Sequence, residues 1–201
     1  MDKKKTIIFV VRHGEVYNPQ HILPGRLPNF HISNHGKVQA KKAGLFLKQH
    51  DIDVIYTSPL QRCQETAKII RMKVGNVPIY TLEELNEIIT TRDGESLANL
   101  ERDRFNFFTT QYRKKGAESM EDVYNRASKA LQIIQKKHPG KHIVAVTHGD
   151  ILIFLKMKLL WNTLEFAFSR GPHYPQPCHI LGLQFDKKNH LVQSMEVNLY
   201  L

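Results

Sequence analysis

The chain has 201 residues, with 29 Lys plus Arg against 19 Asp plus Glu, a formal net charge of +10. At 41% hydrophobic and 24% charged residues it has the composition of a soluble globular chain long enough to bury one sizeable core. The charge favours an anionic partner. Three features narrow that: dispersed basic pairs rather than the roughly 5–8-residue block of a nucleic-acid patch, only Cys63 and Cys178 as cysteines, and no run of ~18 apolar residues for a membrane span.

The first apolar run, Ile7 to Val11, is shorter than the roughly 7–15 residues of a secretory core, so a cytoplasmic protein is expected. "TIIFVV" (6–11) is β-branched and continuous, the pattern of a strand buried on both faces. Ala40, Ala43, Gly44 and Leu47 follow helical spacing, which predicts a helix over 34–50. "IDVIYT" (52–57) reads as a second strand. Ser58-Pro59-Leu60-Gln61 then reads as an N-cap, a first-turn proline and a capping box, opening a helix with Leu60, Cys63, Ala67 and Ile70 on one face. "VPIYTL" (77–82) is a third strand. Residues 88–118 are polar and irregular, an insertion expected to cover the site as a lid.

"SMED" (119–122) caps a further helix whose stripe of Met120, Val123, Ala127, Ala130 and Ile134 faces the core. After the turn "HPGK" (138–141) come a fourth strand, "HIVAVT" (142–147), and a helix over 149–160. Residues 178–197 read as two antiparallel strands joined around "DKKNH". Strands alternating with helices predict one α/β domain over 1–201, with a mostly parallel sheet covered on both faces.

Two of these strands end alike, in "RHGE" (12–15) and "THGD" (147–150). Ligands of open α/β sheets bind beyond the carboxyl ends of the strands. If the two strands are neighbours, His13 and His148 meet in one crevice. The glycines allow close backbone approach, and the segment after Gly149 offers backbone N–H groups to an anion. Arg12 belongs to the first strand end, and Arg62 lies just past the second strand. Singly, each residue is as readily structural. Together, two guanidiniums and two imidazoles at one sheet edge suit a phosphoryl group. The His pairs of "HISNH" (31–35) and "HPGKH" (138–142) lack a partner ligand at metal spacing.

The ordered set "RHGE" (12–15), "TSPLQRCQETA" (57–67), "LNE" (85–87), "ESMEDVYNR" (118–126) and "VTHGD" (146–150) resembles the histidine phosphatase superfamily, in its phosphoglycerate mutase-like branch. The resemblance covers about residues 6–155. It implies a three-layer α/β/α sandwich. His13 would be the nucleophile and form a phosphohistidine. Arg12, Arg62 and His148 would clamp the phosphoryl oxygens, with Asn18 and Gly149 helping to bind phosphate. Glu87 would act as acid and base, a choice among Glu83, Glu84 and Glu87 that the residues alone leave open.

The resemblance also implies no metal and no cofactor. The partner would be a small phosphorylated molecule, with neither nucleic acid nor membrane. A phosphatase is favoured over a mutase, because Ile88 and Ile89 follow the acid and no Arg-Arg dipeptide occurs. A mutase-type phosphotransferase, or a non-catalytic binder of anions or nucleic acid, is the alternative. "LNEI" is similar to the fructose-2,6-bisphosphatase branch, while the length fits broad-specificity and cobalamin-pathway phosphatases equally. The segment "GRLPNFHIS" (25–33) departs from the family's pattern by one extra residue and a missing Asp. One or more of Arg92, Arg102, Arg104, Arg113, Lys114 and Lys115 of the insertion is expected to meet a second acidic group on the substrate, the alternative being a solvated basic lid with no selectivity.

Overall fold

A computed structural model describes residues 5–199. The strands are Thr6–Arg12 (β1), Val54–Thr57 (β2), Ile79–Thr81 (β3), His142–Thr147 (β4), Ile180–Phe185 (β5) and Leu191–Val197 (β6). The helices are Asn34–Leu47 (α1), Gln61–Val74 (α2), Leu97–Arg102 (α3), Thr110–Arg113 (α4), Met120–Lys137 (α5) and Gly149–Leu160 (α6). Among the described residues the strands form one sheet in the order β3-β2-β4-β1-β5-β6. Pairing is parallel from β3 through β1 and antiparallel from β1 through β6.

The continuous apolar strands follow from this layering. Ile8 and Val10 of β1 face α5 and α6, with Ile143 and Ala145 of β4 beside them. Phe9 and Val11 face α1 and α2, with Val144 and Val146 beside them. Because β1 and β4 bury both faces, neither shows the alternation of a half-solvated strand. α5 has the expected capping box between Ser119 and Asp122. It buries Val123, Ala127, Ala130 and Ile134, with Met120 half-buried beside them. No described helix is long and apolar enough to cross a membrane.

Two local readings differ from the structure. α2 begins at Gln61, not Pro59, and its N-cap residue Leu60 makes no side-chain cap. The Ser58 hydroxyl accepts from the Leu60 N–H at 3.3 Å, as a cap would, and also meets His148 Nε2. The helix over 34–50 ends at Leu47 and tightens into a 3-10 turn, after which Asp51 takes a left-handed φ of 45°. The 88–118 segment lines one cavity with the 18–27 loop and is also packed into the core. Ile88, Leu100 and Phe107 are buried in the core on the α5–α6 side. A bridge from Ile22 to Ser96, and backbone bonds between Leu23 and both Gly94 and Glu95, stitch the segment to the 18–27 loop.

Candidate active site

β1 and β4 are neighbours with Arg12 opposite Thr147, so the next residue of each strand, His13 and His148, emerges at the same sheet edge. The His13 N–H donates to the Thr147 carbonyl at 2.9 Å. The two imidazole centroids lie 5.3 Å apart, edge to face. Both rings are buried, His148 fully.

The neighbours fix the tautomers. His13 Nδ1 lies 2.8 Å from the Gly14 carbonyl, which can only accept, so Nδ1 carries the proton. Nε2 is left with its lone pair, and Arg62 Nε donates to it at 3.2 Å. Arg62 also donates to His148 Nδ1 at 3.1 Å and to the Gly25 carbonyl at 2.7 Å. His148 Nε2 then donates to Ser58 Oγ at 2.8 Å. Burial first, and then the Arg62 charge, push both imidazoles well below the usual value of 6.5, so both rings are neutral.

Arg62 is 2% exposed. Its position in the first turn of α2 is held by Thr66, one turn on. The Thr66 hydroxyl donates to the Arg62 carbonyl at 2.7 Å and accepts from the Gly14 N–H at 3.0 Å. Gly14 lies against Gly36 of α1. A Cβ there would come within 2.7 Å of the Gly36 carbonyl oxygen, which is backbone and cannot turn aside. Gly14→Ala is therefore expected to cost about 1–3 kcal/mol in a urea melt, with loss of activity because His13 shifts with its neighbour.

Among the three glutamates left open, the structure separates Glu87. The Thr147 hydroxyl donates to the Leu85 carbonyl at 2.7 Å, pinning the 85–87 segment to the end of β4. Glu87 Oε2 lies 3.3 Å from His148 Nδ1 and 3.5 Å from Arg62. Its carbonyl accepts from Arg26 at 2.7 Å and from Arg126 at 3.3 Å, with Glu118 bonded to Arg126 behind them. Glu84 is turned to Lys129, and Glu83 is exposed beside Asn86.

Arg12 enters from the other side. It donates to the Pro175 carbonyl and stacks over Tyr174, and its buried Nε has no hydrogen-bond partner among the described residues. Asn18 lines the same cavity, but its amide closes the 18–22 turn by bonding both backbone groups of Ile22. One amide hydrogen is left for a ligand. Gly149 begins α6 but is not part of the cavity lining. Its place is steric: a Cβ there would meet the Tyr174 hydroxyl at 2.4 Å.

Several residues with no assigned part in the sequence reading belong to this site. Ser58 orients His148, and Arg26 and Arg126 hold Glu87. Buried Asp150 binds Arg170 at 2.5 Å and Tyr174 at 3.3 Å. Asp150 stands next to the second His-Gly pair, and that adjacency was the available signal. Its partners lie in the proline-rich 171–177 stretch and just before it, where no periodicity points anywhere. Cys63 touches His148 at 3.5 Å, but burial pushes its thiol up to about 12, so it is inert packing.

His13, Glu87 and His148 bring ligand atoms within 4.8 Å of one another, a spacing that could hold a metal ion. The Arg62 guanidinium stands among them, however, bonded to both imidazoles. A dication there would face that fixed charge, whereas an anion is attracted to it. The "HISNH" and "HPGKH" histidines are engaged elsewhere: His31 with Glu65, His35 with Glu15, His138 with Tyr56 and His142 with the His50 carbonyl.

Neutral buried imidazoles carry a stability signature. Both have folded pKa values below 6.5, so as pH falls through 6.5 the unfolded chain takes up protons that the folded chain refuses. Each then removes up to ~1.4 kcal/mol of stability per pH unit until its folded pKa is reached. Asp150 acts oppositely. Burial raises its carboxyl pKa, partly offset by Arg170, so it favours the folded form as pH falls above its unfolded value. The melting temperature is expected to drop between about pH 6.5 and pH 5; a flat profile there would contradict neutral rings at the site.

Comparison with known proteins agrees with this geometry. The family model described as histidine phosphatase superfamily (branch 1) matches residues 8–198. Phosphoglycerate mutase-like protein 4 of Arabidopsis thaliana is 32% identical over 155 residues, 72% of this chain and 67% of that protein. A Bacillus subtilis protein named uncharacterized phosphatase PhoE is 29% identical over 200 residues, 98% of this chain and 97% of its own length. The solved structure of Bacillus stearothermophilus YhfR superposes with a TM-score of 0.80 at 27% identity, covering 93% of this chain and 94% of that one.

Proposed function

The chain belongs to branch 1 of the histidine phosphatase superfamily, and we propose that it hydrolyses small-molecule phosphomonoesters through a phosphohistidine on His13, without a metal. The observation that carries this is the unprotonated Nε2 of His13, aimed between Arg62 and the cavity that Arg12 and Glu87 line.

In the first step Nε2 attacks phosphorus in line. The bond from phosphorus to the ester oxygen breaks, and Glu87, protonated, gives its proton to the departing oxygen. In the second step Glu87 as carboxylate takes a proton from water. The water oxygen attacks phosphorus, the nitrogen–phosphorus bond breaks, and inorganic phosphate leaves. Splitting one hard displacement in two lowers each barrier. Arg12 and Arg62 hold charge on the phosphoryl oxygens, with His148 accepting from Arg62 and so fixing its guanidinium, and in phosphoryl transfer such positioning supplies most of the rate.

A mutase is less well supported, because transfer to an acidic acceptor needs a second cation in the cavity. Arg92 is held by Glu95 and Asp103, and Arg113 by Asp122. None of the insertion's basic residues lines the cavity, which leaves a second acidic group without a partner among them. The test is hydrolysis of p-nitrophenyl phosphate in excess EDTA. Activity is expected to survive chelation, and activity that returns only on adding a divalent ion would count against the reading.

A further inference from the structure

Beyond the phosphoryl site the cavity extends to about 520 Å³, within the range that holds a drug-sized ligand. Its outer wall is built from two sides. Ile88, Leu97, Phe105 and Phe107 come from the 88–118 segment, and Leu23 and Pro24 from the loop stitched to it. A three-carbon phosphate would leave most of this apolar wall uncovered.

The charges on the lining are already allocated. Arg12 and Arg62 face the phosphoryl position, and the remaining cation is Arg170. It donates to Asp150 at 2.5 Å, to the Ser169 carbonyl at 2.8 Å and to the Phe105 carbonyl at 3.3 Å. Its guanidinium also lies over the rings of Phe107, Phe108, Phe166 and Tyr174, at 5.2–5.9 Å from their centroids. Arg170 is thus a post inside the wall. The basic residues of the insertion do not reach the cavity: Arg102, Arg104, Arg113, Lys114 and Lys115 are exposed, and Arg92 is paired. An acidic group on the alcohol half of a substrate would meet apolar carbon, the neutral Asn18, Thr90, Tyr174 and Gln176, and the carboxylates of Glu15 and Asp150, with no uncommitted cation among them.

We infer that this cavity selects phosphomonoesters of apolar, aryl- or alkyl-bearing alcohols and rejects those whose alcohol carries a second acidic group. Burying the hydrocarbon contributes binding, while an unpaired carboxylate loses water without gaining a cation. The inference rests on the phosphatase reading and names the substrate class for the same site.

The test uses four primary alkyl phosphates, so that the leaving oxygens are alike: 2-phenylethyl phosphate, ethyl phosphate, phosphoserine and 3-phosphoglycerate. kcat/KM for 2-phenylethyl phosphate is expected to exceed each of the other three by at least about tenfold. In Phe105→Ala and Leu97→Ala, the ratio of 2-phenylethyl to ethyl phosphate is expected to fall about tenfold, a comparison within one variant that does not depend on its yield of folded protein. Phosphoserine or 3-phosphoglycerate matching the phenylethyl ester in the wild type would overturn the selectivity and leave the phosphatase reading standing. Hydrolysis of none of the four, nor of p-nitrophenyl phosphate, would overturn both.

Discussion

His13→Ala is expected to lower kcat for p-nitrophenyl phosphate by about 10⁵-fold, the scale seen when a nucleophile is removed from a covalent mechanism. No other group in the cavity can take its place. His148 has one ring nitrogen bonded to Ser58, and the other faces Arg62 and Glu87. The Cys63 thiol is buried and protonated, with its pKa raised to about 12. The substitution leaves the backbone bond from residue 13 to Thr147 in place, so the variant should fold. It also removes one of the two buried site imidazoles that resist protonation. Its loss of stability below about pH 6.5 should therefore be shallower than in the wild type. An inactive variant with an unchanged pH profile of stability would mean that His13 is not held neutral.

Arg62→Lys is expected to cost about 10³-fold in kcat, although the formal charge is kept. Loss of a single preorganised donor costs roughly 10²–10³-fold in comparable sites. Here one guanidinium serves His13 Nε2, His148 Nδ1, the Gly25 carbonyl and the Glu87 carboxylate at once. An ammonium is a point charge on a flexible stem and cannot span those directions. With Arg62 gone, the His13 lone pair and the Glu87 carboxylate lose their shared reference. The loss should fall on kcat more than on KM, because Arg12 still attracts the phosphoryl group. A variant that raised KM alone would show Arg62 to be a simple anion binder.

Much of this site was legible because strand register is a strong constraint. The apolar runs at 6–11 and 142–147 were continuous, which marks strands buried on both faces. Each ended in His-Gly, so adjacency of β1 and β4 was enough to bring the imidazoles together. Arg62 followed from its place just past β2. What stayed hidden depended on contacts far apart in the chain. Ser58 carried a local reading as a helix cap, and its hydroxyl is shared between the Leu60 N–H and a tertiary partner, His148. The resemblance singled out Glu87, but the residues alone did not, because what sets it apart from Glu83 and Glu84 is tertiary: the bond between Thr147 and the Leu85 carbonyl spans 62 residues.

The charge of the 88–118 segment left two readings open for a related reason. Composition showed its cations, but the carboxylates that hold Arg92 came from folding. Glu95, three residues on, was readable as a partner; Asp103 was not. The apolar wall of Leu97, Phe105 and Phe107 lacked any periodic signal, because its residues converge from a six-residue helix and irregular chain.

The central claim is that His13 carries the phosphoryl group, and rapid acid-free quenching with a ³²P-labelled phosphomonoester tests it most directly. Label is expected on the peptide containing His13, stable to alkali and released by acid, formed and lost at rates matching turnover and missing in His13→Ala. Turnover with no labelled protein at any time, or label on another residue, would contradict it.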